Sequence, residues 1–182
     1  MAKWLRTVLL LTPLAAVALL LVVLGVGMLL PRTFVTAESA RYRQPPPVVW
    51  AAMTDLAALP AWDPLVQRME RRPDRHGHPV WREHNGDGAV TYEVVQAVPP
   101  HRLVLRVLAN DAPFRGTWTF DLAPGPPGEG GSQLTLTARG RIANPFFRFL
   151  LRFVYGSDRA LDIYLTALGR RLGETVQPFT AR

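Results

Sequence analysis

Glu83 and Tyr92 are the candidates for acid–base chemistry in this chain of 182 residues. Strand alternation places Glu83 on the same face as Trp81, which favours an inward position. A carboxyl group in an apolar pocket has a raised pKa and can act as a general acid or base, and the Tyr92 hydroxyl can orient a ligand. The alternative interpretation is structural. Glu83 is then a solvated carboxylate at a strand end, since buried glutamate is rare, and Tyr92 lies at the rim of the core.

Other motifs give little support to a metal, a cofactor or a nucleophile. His76 and His78 form a His-x-His pair, but a zinc site needs further ligands, and the pair lies in a Gly/Pro turn typical of solvated loops. The glycines between Gly125 and Gly131 are not followed by Lys-Ser/Thr, so they form no P-loop. There is no Cys and no G-x-S-x-G motif. We therefore expect no cofactor and no metal.

Apolar residues on alternate strand positions predict a pocket. Trp118 and Phe120 share one strand face, opposite Thr117 and Thr119. An apolar pocket with few polar groups suits a lipid or polycyclic ligand. The same residues can equally fill a core, because apolar stripes are normally buried. The predicted ligand-binding residues are Trp81, Tyr92, Trp118, Phe120, Leu136, Phe146, Leu150 and Phe153.

The elements that must position these residues begin with a strand over Thr33–Arg43, rich in β-branched residues. Pro46 or Pro47 should open a helix, because proline is tolerated in a first helical turn. Asp55 should cap a second short helix that Pro60 ends. An antiparallel meander follows, joined by a hairpin at 85–88, a Pro99-Pro100 turn, an Asn110-Asp111 turn and a loop over 124–132. Its predicted strands cover 65–72, 79–84, 89–97, 101–109, 114–122 and 133–142.

From Asn144 onward the apolar period changes from two to about 3.6. Asn144 is a plausible N-cap, with Pro145 at the first helical position. This pattern predicts one long C-terminal helix that runs to about Leu172 and is weakened at Gly156-Ser157.

Residues 7–31 contain no charged side chain, which predicts a transmembrane helix. The run is longer than the apolar region of a signal peptide, so an uncleaved anchor is favoured over a cleaved one. The flanking basic residues nearly balance, with a slight preference for a cytoplasmic N-terminus and an external domain. The predicted organisation is a tail over 1–6, the anchor over 7–31, a domain over 32–178 and a tail over 179–182.

The net charge is +7, and Lys3 and Arg6 contribute two of these charges, which leaves +5 on the domain. A basic domain beside a membrane is drawn to anionic headgroups. The alternative is that arginine is merely the preferred surface residue. No basic block alternates with aromatic residues as in nucleic-acid-binding modules, so nucleic acid is not expected as a partner.

Three local motifs resemble the START-like (SRPBCC) superfamily. They are Pro46-Pro-Val-Val-Trp50 followed by Asp55 and Trp62-Asp63-Pro64, then Pro99-Pro100-His101-Arg102-Leu103, and finally Asn144-Pro-Phe-Phe-Arg-Phe-Leu150. The resemblance covers residues 33 to about 176. It implies an α+β helix-grip fold, in which a sheet of about seven antiparallel strands wraps a long C-terminal helix around a cavity.

This resemblance is specific for fold and not for function, because the superfamily contains lipid carriers, polyketide cyclases/dehydratases and receptors. The expected protein is a membrane-anchored domain that binds a hydrophobic small molecule or lipid, with the bilayer as its other partner. One alternative is a cyclase/dehydratase that uses Glu83 or Tyr92 for proton transfer. Another is a structural or regulatory membrane module with a filled core. The sequence favours a binding protein over an enzyme.

Overall fold

A computed structural model of the chain describes residues 2–86, 88–108, 114–128, 130–156 and 158–181, with side chains described for all of these except residues 2–11, 14, 114 and 155. The helices are α1 Ala2–Leu29, α2 Pro46–Thr54, a 3₁₀ helix Leu56–Ala61, α3 Pro145–Leu150, a π-helical turn Leu151–Tyr155, and α4 Arg159–Arg171. The strands are β1 Thr33–Tyr42, β2 Val66–Arg75, β3 His78–Asn85, β4 Gly88–Val98, β5 Arg102–Leu108, β6 Phe114–Pro124, β7 Ser132–Ile142 and β8 Phe179–Thr180.

Within the described residues the strands form one antiparallel sheet of eight, in the order β2-β3-β4-β5-β6-β7-β1-β8. The predicted α+β meander is confirmed, and so is the hairpin, in which Asn85 pairs with Gly88. Asp87 and the predicted turn at Asn110-Asp111 lie outside the described residues. The structure adds β8, which pairs with β1 in the stretch predicted as a C-terminal tail.

The segment after β1 differs from its prediction in one detail. Pro46 begins α2 as expected, but the Asp55 side chain does not cap the following helix. The backbone carbonyl of Asp55 instead accepts the Ala58 N–H at 3.1 Å, which starts a 3₁₀ helix. That helix continues through Pro60 to Ala61, two residues further than predicted, since the tighter 3₁₀ turn still allows the Trp62 N–H to reach the Leu59 carbonyl.

The prediction of one long C-terminal helix is wrong. Asn144 does cap α3, accepting the Phe146 N–H at 2.9 Å, but regular α-helix ends at Leu150 and a π-helical turn follows. Gly156 then has φ 74° and ψ 142°, a conformation essentially reserved for glycine, and the chain changes direction there. From this C-terminal segment it is α4 that packs into the core, through the buried leucines Leu161, Leu165 and Leu168.

The core lies between α4, the 3₁₀ helix and the inner face of the sheet, where Leu134 and Leu136 are fully buried. The chain after α4 is fastened to the end of β1. The buried Glu174 carboxylate accepts the backbone N–H groups of Arg43 at 2.8 Å and Gln44 at 3.2 Å. These bonds satisfy two donors at the end of a strand and fix the C-terminal segment against the sheet.

The N-terminal helix α1 precedes β1 and packs against α3. The helix predicted over residues 7–31 is present as α1, which begins earlier, at Ala2, and ends at Leu29. No helix in the described part of the chain combines the length and the apolar character needed to cross a membrane.

Candidate functional site

A small pocket lies between the inner face of the sheet, the 3₁₀ helix and the start of α4. Its volume is ≈ 70 Å³. Carboxyl and hydroxyl groups enter it from Asp63, Glu83, Tyr92 and Tyr164. Its apolar walls include Leu56, Leu59, Met69, Leu105, Trp118 and Phe120. Small-molecule sites usually occupy about 300–1,000 Å³, so this pocket, as it stands, holds only a small group or one end of a larger ligand.

Strand register explains why Glu83 and Tyr92 meet. Glu83 on β3 lies opposite Val90 on β4, and Tyr92 is two residues further along the same strand. Side chains two apart on a strand share a face, so both point to the side that carries Val90. The structure thus decides in favour of the inward position for Glu83, and Val80, which follows the opposite parity, is buried on the other face.

Glu83 carries a half-buried carboxyl group that accepts hydrogen bonds from two donors. The Asn85 side-chain amide donates to Glu83 Oε1 at 3.2 Å, and the Tyr92 hydroxyl donates to the same carboxylate. Burial raises the pKa of Glu83 above its ordinary value, the two hydrogen bonds oppose this rise, and the nearby Asp63 carboxylate adds to it. Glu83 can therefore hold a proton at a higher pH than an exposed glutamate, as a general acid must.

The two tyrosines remain hydroxyl donors. Burial raises the pKa of Tyr92 well above its ordinary value, and the neighbouring carboxylates add to the rise. Burial raises the pKa of Tyr164 in the same way. Neither group ionises near neutral pH, so each can offer an O–H to a carboxylate or to a ligand oxygen.

Asp63 is a site residue that the sequence did not single out, because Trp62-Asp63-Pro64 has the composition of a turn and was named only as part of a motif that resembles the superfamily. The Asp63 backbone N–H donates to the Leu59 carbonyl at 2.8 Å, and its Oδ1 accepts the Leu65 N–H at 2.9 Å. Asp63 is buried, which raises the pKa of its carboxyl group despite the Leu65 hydrogen bond. The available signal was a short polar residue between an apolar helix and a strand.

Trp118 brings an unused hydrogen-bond donor to the pocket. Its indole Nε1 is buried and has no acceptor among the described residues. An unpaired buried donor costs free energy, and such groups in native proteins often belong to functional sites. Trp62 Nε1 has the same status, but Trp62 does not line the pocket and its ring packs edge-on against Tyr164 at 5.4 Å.

Of the predicted ligand-binding residues, the structure gathers Tyr92, Trp118 and Phe120 around the pocket, together with Glu83. Trp81 is half-buried on the same sheet face, with the Arg71 guanidinium 5.7 Å above its ring, and does not line the pocket. Leu136 is fully buried in the core behind it.

Three further predicted residues lie elsewhere. Phe146, Leu150 and Phe153 belong to α3 and the π-helical turn, and α3 packs on α1 rather than on the sheet. The chain reversal at Gly156 is the physical cause, because a continuous helix would have carried these side chains over the inner face. The helical side of the pocket is formed instead by Ala160 and Tyr164 of α4.

No metal centre emerges from the described residues, in which no three His, Asp or Glu side chains converge as a ligand set. His76 and His78 flank the hairpin between β2 and β3, where His76 has a positive φ of 51°. This geometry agrees with the turn that the sequence indicated.

Residues 34–172 match the sequence profile of the family described as polyketide cyclase/dehydrase and lipid transport. The chain belongs to this family. The match spans the sheet apart from β8, the 3₁₀ helix and α4, and thus every element that lines the pocket. A comparison with curated protein sequences gives no match.

Solved structures share the fold of this polyketide cyclase/dehydrase family member. A conserved protein from Geobacillus kaustophilus aligns with a TM-score of 0.62 at 15% identity, covering 80% of this chain and 99% of its own. Norcoclaurine synthase from Thalictrum flavum gives 0.61 at 11% identity, with coverages of 78% and 87%. The Zhui aromatase/cyclase from Streptomyces sp. R1128 gives 0.59 at 15% identity, with coverages of 75% and 91%. At these identities the likeness establishes the fold alone.

Proposed function

We propose that this domain binds a hydrophobic small molecule or lipid whose polar end enters the pocket beside Glu83 and Tyr92. The observation that carries the proposal is the convergence of a hydrogen-bonded Glu83–Tyr92 pair and the unpaired Trp118 Nε1 within apolar walls. Binding sites of this kind are mostly apolar, with a few polar groups that orient the ligand. Membership of a family that includes lipid transport proteins supports the same function.

The pocket volume of ≈ 70 Å³ accommodates the polar end of a ligand and not a whole lipid. The pocket lining is most exposed to solvent at Leu65, Met69 and Ala160, whereas the remaining apolar lining is largely buried. A larger ligand would enter there, displacing the start of α4 and the end of the 3₁₀ helix. The proposal therefore requires that ligand binding widen this entrance.

Native mass spectrometry of the full chain, followed by thermal melting with a long-chain lipid or polycyclic probe, tests the proposal. A ligand that binds only the folded state raises the melting temperature with concentration. Tyr92→Phe should weaken this rise. Tyr42→Phe is the matched control, since Tyr42 is also buried but donates to the Leu165 carbonyl at 3.0 Å, outside the pocket. No co-purifying lipid and no ligand-dependent shift would contradict the proposal.

A second candidate function is proton-transfer catalysis of the cyclase/dehydratase type. The raised pKa of Glu83 and its contact with Tyr92 favour it, and the aromatase/cyclase among the solved neighbours is consistent with it. In a dehydration, protonated Glu83 would donate its proton to a β-hydroxyl that leaves as water, while a base removes the α-proton. Asp63 is the nearest second carboxyl group in the pocket.

Turnover separates this candidate from simple binding. A β-hydroxy ketone probe should be converted to the enone, followed by ultraviolet absorbance. Glu83→Gln should abolish conversion while the melting shift with the same probe persists. If the unmodified chain binds the probe but does not convert it, the catalytic candidate is contradicted and ligand binding is the function supported.

We also propose that residues 7–31 hold the domain at a membrane, with the N-terminus cytoplasmic and the domain outside. The uncharged run supports this, as does the exposure of Val17, Leu19 and Leu20 along α1. Carbonate extraction of membranes from expressing cells, with protease accessibility of the domain, measures both points. Release of the full chain by carbonate would contradict the anchor, and protection of the domain in intact spheroplasts would contradict the orientation.

A further inference from the structure

α3 and the π-helical turn expose an aromatic surface. Phe146 and Phe147 are more than a third exposed, and Phe153 and Val154 are exposed by 59% and 58%. The rings of Phe146 and Phe147 pack edge-on with centroids 5.9 Å apart, and the Phe153 ring packs on Phe149 at 4.9 Å. Large apolar side chains clustered in this way on a protein surface generally mark an interaction site.

The aromatic surface is fixed to the end of α1. Gly27 of α1 is buried against α3, and a Cβ atom at Gly27 would lie 2.1 Å from the Pro145 carbonyl oxygen. Only glycine permits this approach of two backbones. The end of α1 and the beginning of α3 therefore form one packed unit.

A buried arginine strengthens this junction. Arg148 donates from Nη1 to the Leu30 carbonyl at 2.8 Å and reaches the Met28 carbonyl at 3.5 Å. These carbonyls belong to the C-terminal end of α1, where a cation is electrostatically favoured. Met28 and Leu29 are exposed by 66% and 88%, so apolar side chains from α1 extend the aromatic surface.

Four exposed arginines lie at the end of the sheet where β6 begins and β7 leads into α3. Arg115 of β6 lies directly opposite Arg141 of β7, and Arg139 is two residues away on the same face as Arg141. The Ile142 N–H donates to the Arg32 carbonyl at 2.8 Å, which places Arg32 beside them. Like charges in directly opposed strand positions destabilise a sheet. Within the described residues none of the four has a carboxylate at ion-pair distance.

We propose that the exposed aromatic surface and the arginines beside it form one docking surface, which binds the face of an anionic lipid bilayer. The docking surface consists of Met28, Leu29, Phe146, Phe147, Phe153 and Val154, with Arg32, Arg115, Arg139 and Arg141 at its border. Its aromatic and aliphatic side chains enter the interfacial region, and the arginines pair with lipid phosphates, which compensates for their mutual repulsion. The inference rests on the proposed membrane association of residues 7–31 and adds a second, charge-dependent contact that orients the domain.

Site-specific fluorescence in the full chain tests the docking surface, since the sequence contains no Cys and single cysteines can be labelled. Val154→Cys carries an environment-sensitive probe on the docking surface. Val22→Cys reports α1 itself. Val98→Cys is the matched control, because Val98 is an exposed valine at the opposite end of the sheet. The labelled chains are reconstituted in phosphatidylcholine vesicles with and without phosphatidylserine and with lipid-borne quenchers.

The expected result is a blue-shifted, lipid-quenched probe at Val154 in phosphatidylserine vesicles and an unaffected probe at Val98. Combining Arg139→Gln with Arg141→Gln should lower the equilibrium constant for docking roughly fivefold per arginine. It should also reduce the salt dependence of docking. Quenching at Val22 without quenching at Val154 would overturn the docking surface and leave the anchor intact. Quenching at neither position would overturn both.

Two further outcomes would also overturn the proposal. Quenching at Val154 that ignores phosphatidylserine, salt and the arginine substitutions would mean that α1 alone brings the probe near lipid. A blue shift at Val154 that grows with protein concentration in the absence of vesicles would mean that a second copy of the chain covers this surface.

Discussion

Replacing Trp118 by phenylalanine should move stability and ligand binding in opposite directions. Trp118 lines the pocket, and its Nε1 is buried without an acceptor among the described residues. Phenylalanine keeps an aromatic ring in the wall and removes only the donor and part of the indole. The substitution therefore separates a donor kept for a ligand from a side chain that merely fills space.

The expected change in stability is the balance of two effects. Removing an unsatisfied buried donor recovers about 1–3 kcal/mol. The smaller ring loses about 1 kcal/mol of apolar burial. We expect the free energy of unfolding of Trp118→Phe to lie between unchanged and about 2 kcal/mol higher. A ligand acceptor that pairs with Nε1 would lose about 1–3 kcal/mol of binding, which raises Kd roughly 5- to 150-fold.

Urea unfolding and ligand-dependent melting measure the two quantities. A bicyclic aromatic ketone such as α-tetralone offers a carbonyl acceptor, and the hydrocarbon tetralin is its apolar counterpart. Trp118→Phe should weaken binding of the ketone and leave that of the hydrocarbon unchanged. Trp62→Phe is the matched control, because Trp62 Nε1 is also buried without a partner but lies outside the pocket lining.

Two results would refute this reasoning. A loss of about 3 kcal/mol or more in Trp118→Phe would show that the indole is an ordinary packed core residue. Equal effects of Trp118→Phe and Trp62→Phe on ketone binding would show that the Trp118 donor has no special part in the pocket.

Three further predictions concern the electrostatics and the chain path. Because burial raises the pKa of Glu83, the folded state binds a proton more tightly than the unfolded chain. Stability is therefore lost as the pH rises from about 4.3 through the raised pKa. Glu83→Gln should have a higher urea midpoint than the parent chain at about pH 8 and the same midpoint at about pH 3. Glu174→Ala should lower the free energy of unfolding by roughly 3 kcal/mol, because two backbone donors lose a charged acceptor, and Glu174→Gln should cost about half as much. Gly156→Ala should cost about 1–3 kcal/mol in chemical denaturation because of its positive φ, whereas Gly86→Ala, at a turn with open space around it, should cost less.

The local sequence determined most of the secondary structure. Alternating apolar residues predicted the strands, Pro46 the start of α2, Asn144 the cap of α3, and the Asn-Gly pair the β3–β4 hairpin. These features depend on interactions between residues close in the chain, such as turn conformation and capping. The superfamily followed from the same local motifs, and the family match confirms it.

The inward position of Glu83 could not be predicted from its strand alone, since Val80 made either parity reasonable. Pairing with β4 decided it, because the register places Glu83 opposite Val90 and on the same face as Tyr92. Asp63 was missed for a related reason. A turn sequence carries no indication that its carboxyl group will be buried between a 3₁₀ helix and a sheet.

The path of the C-terminal segment was likewise decided by tertiary contacts. The 3.6-residue period from Asn144 to Leu172 is compatible with one helix, and the sequence showed only a weak point at Gly156. The close approach of Gly27 to Pro145 and the bonds of Arg148 to the end of α1 hold α3 away from the sheet. Phe146 and Phe153 are therefore on the outside, and only α4 helps to form the pocket. Periodicity determines which residues share a helix face, but what that face packs against depends on contacts between residues more than a hundred positions apart.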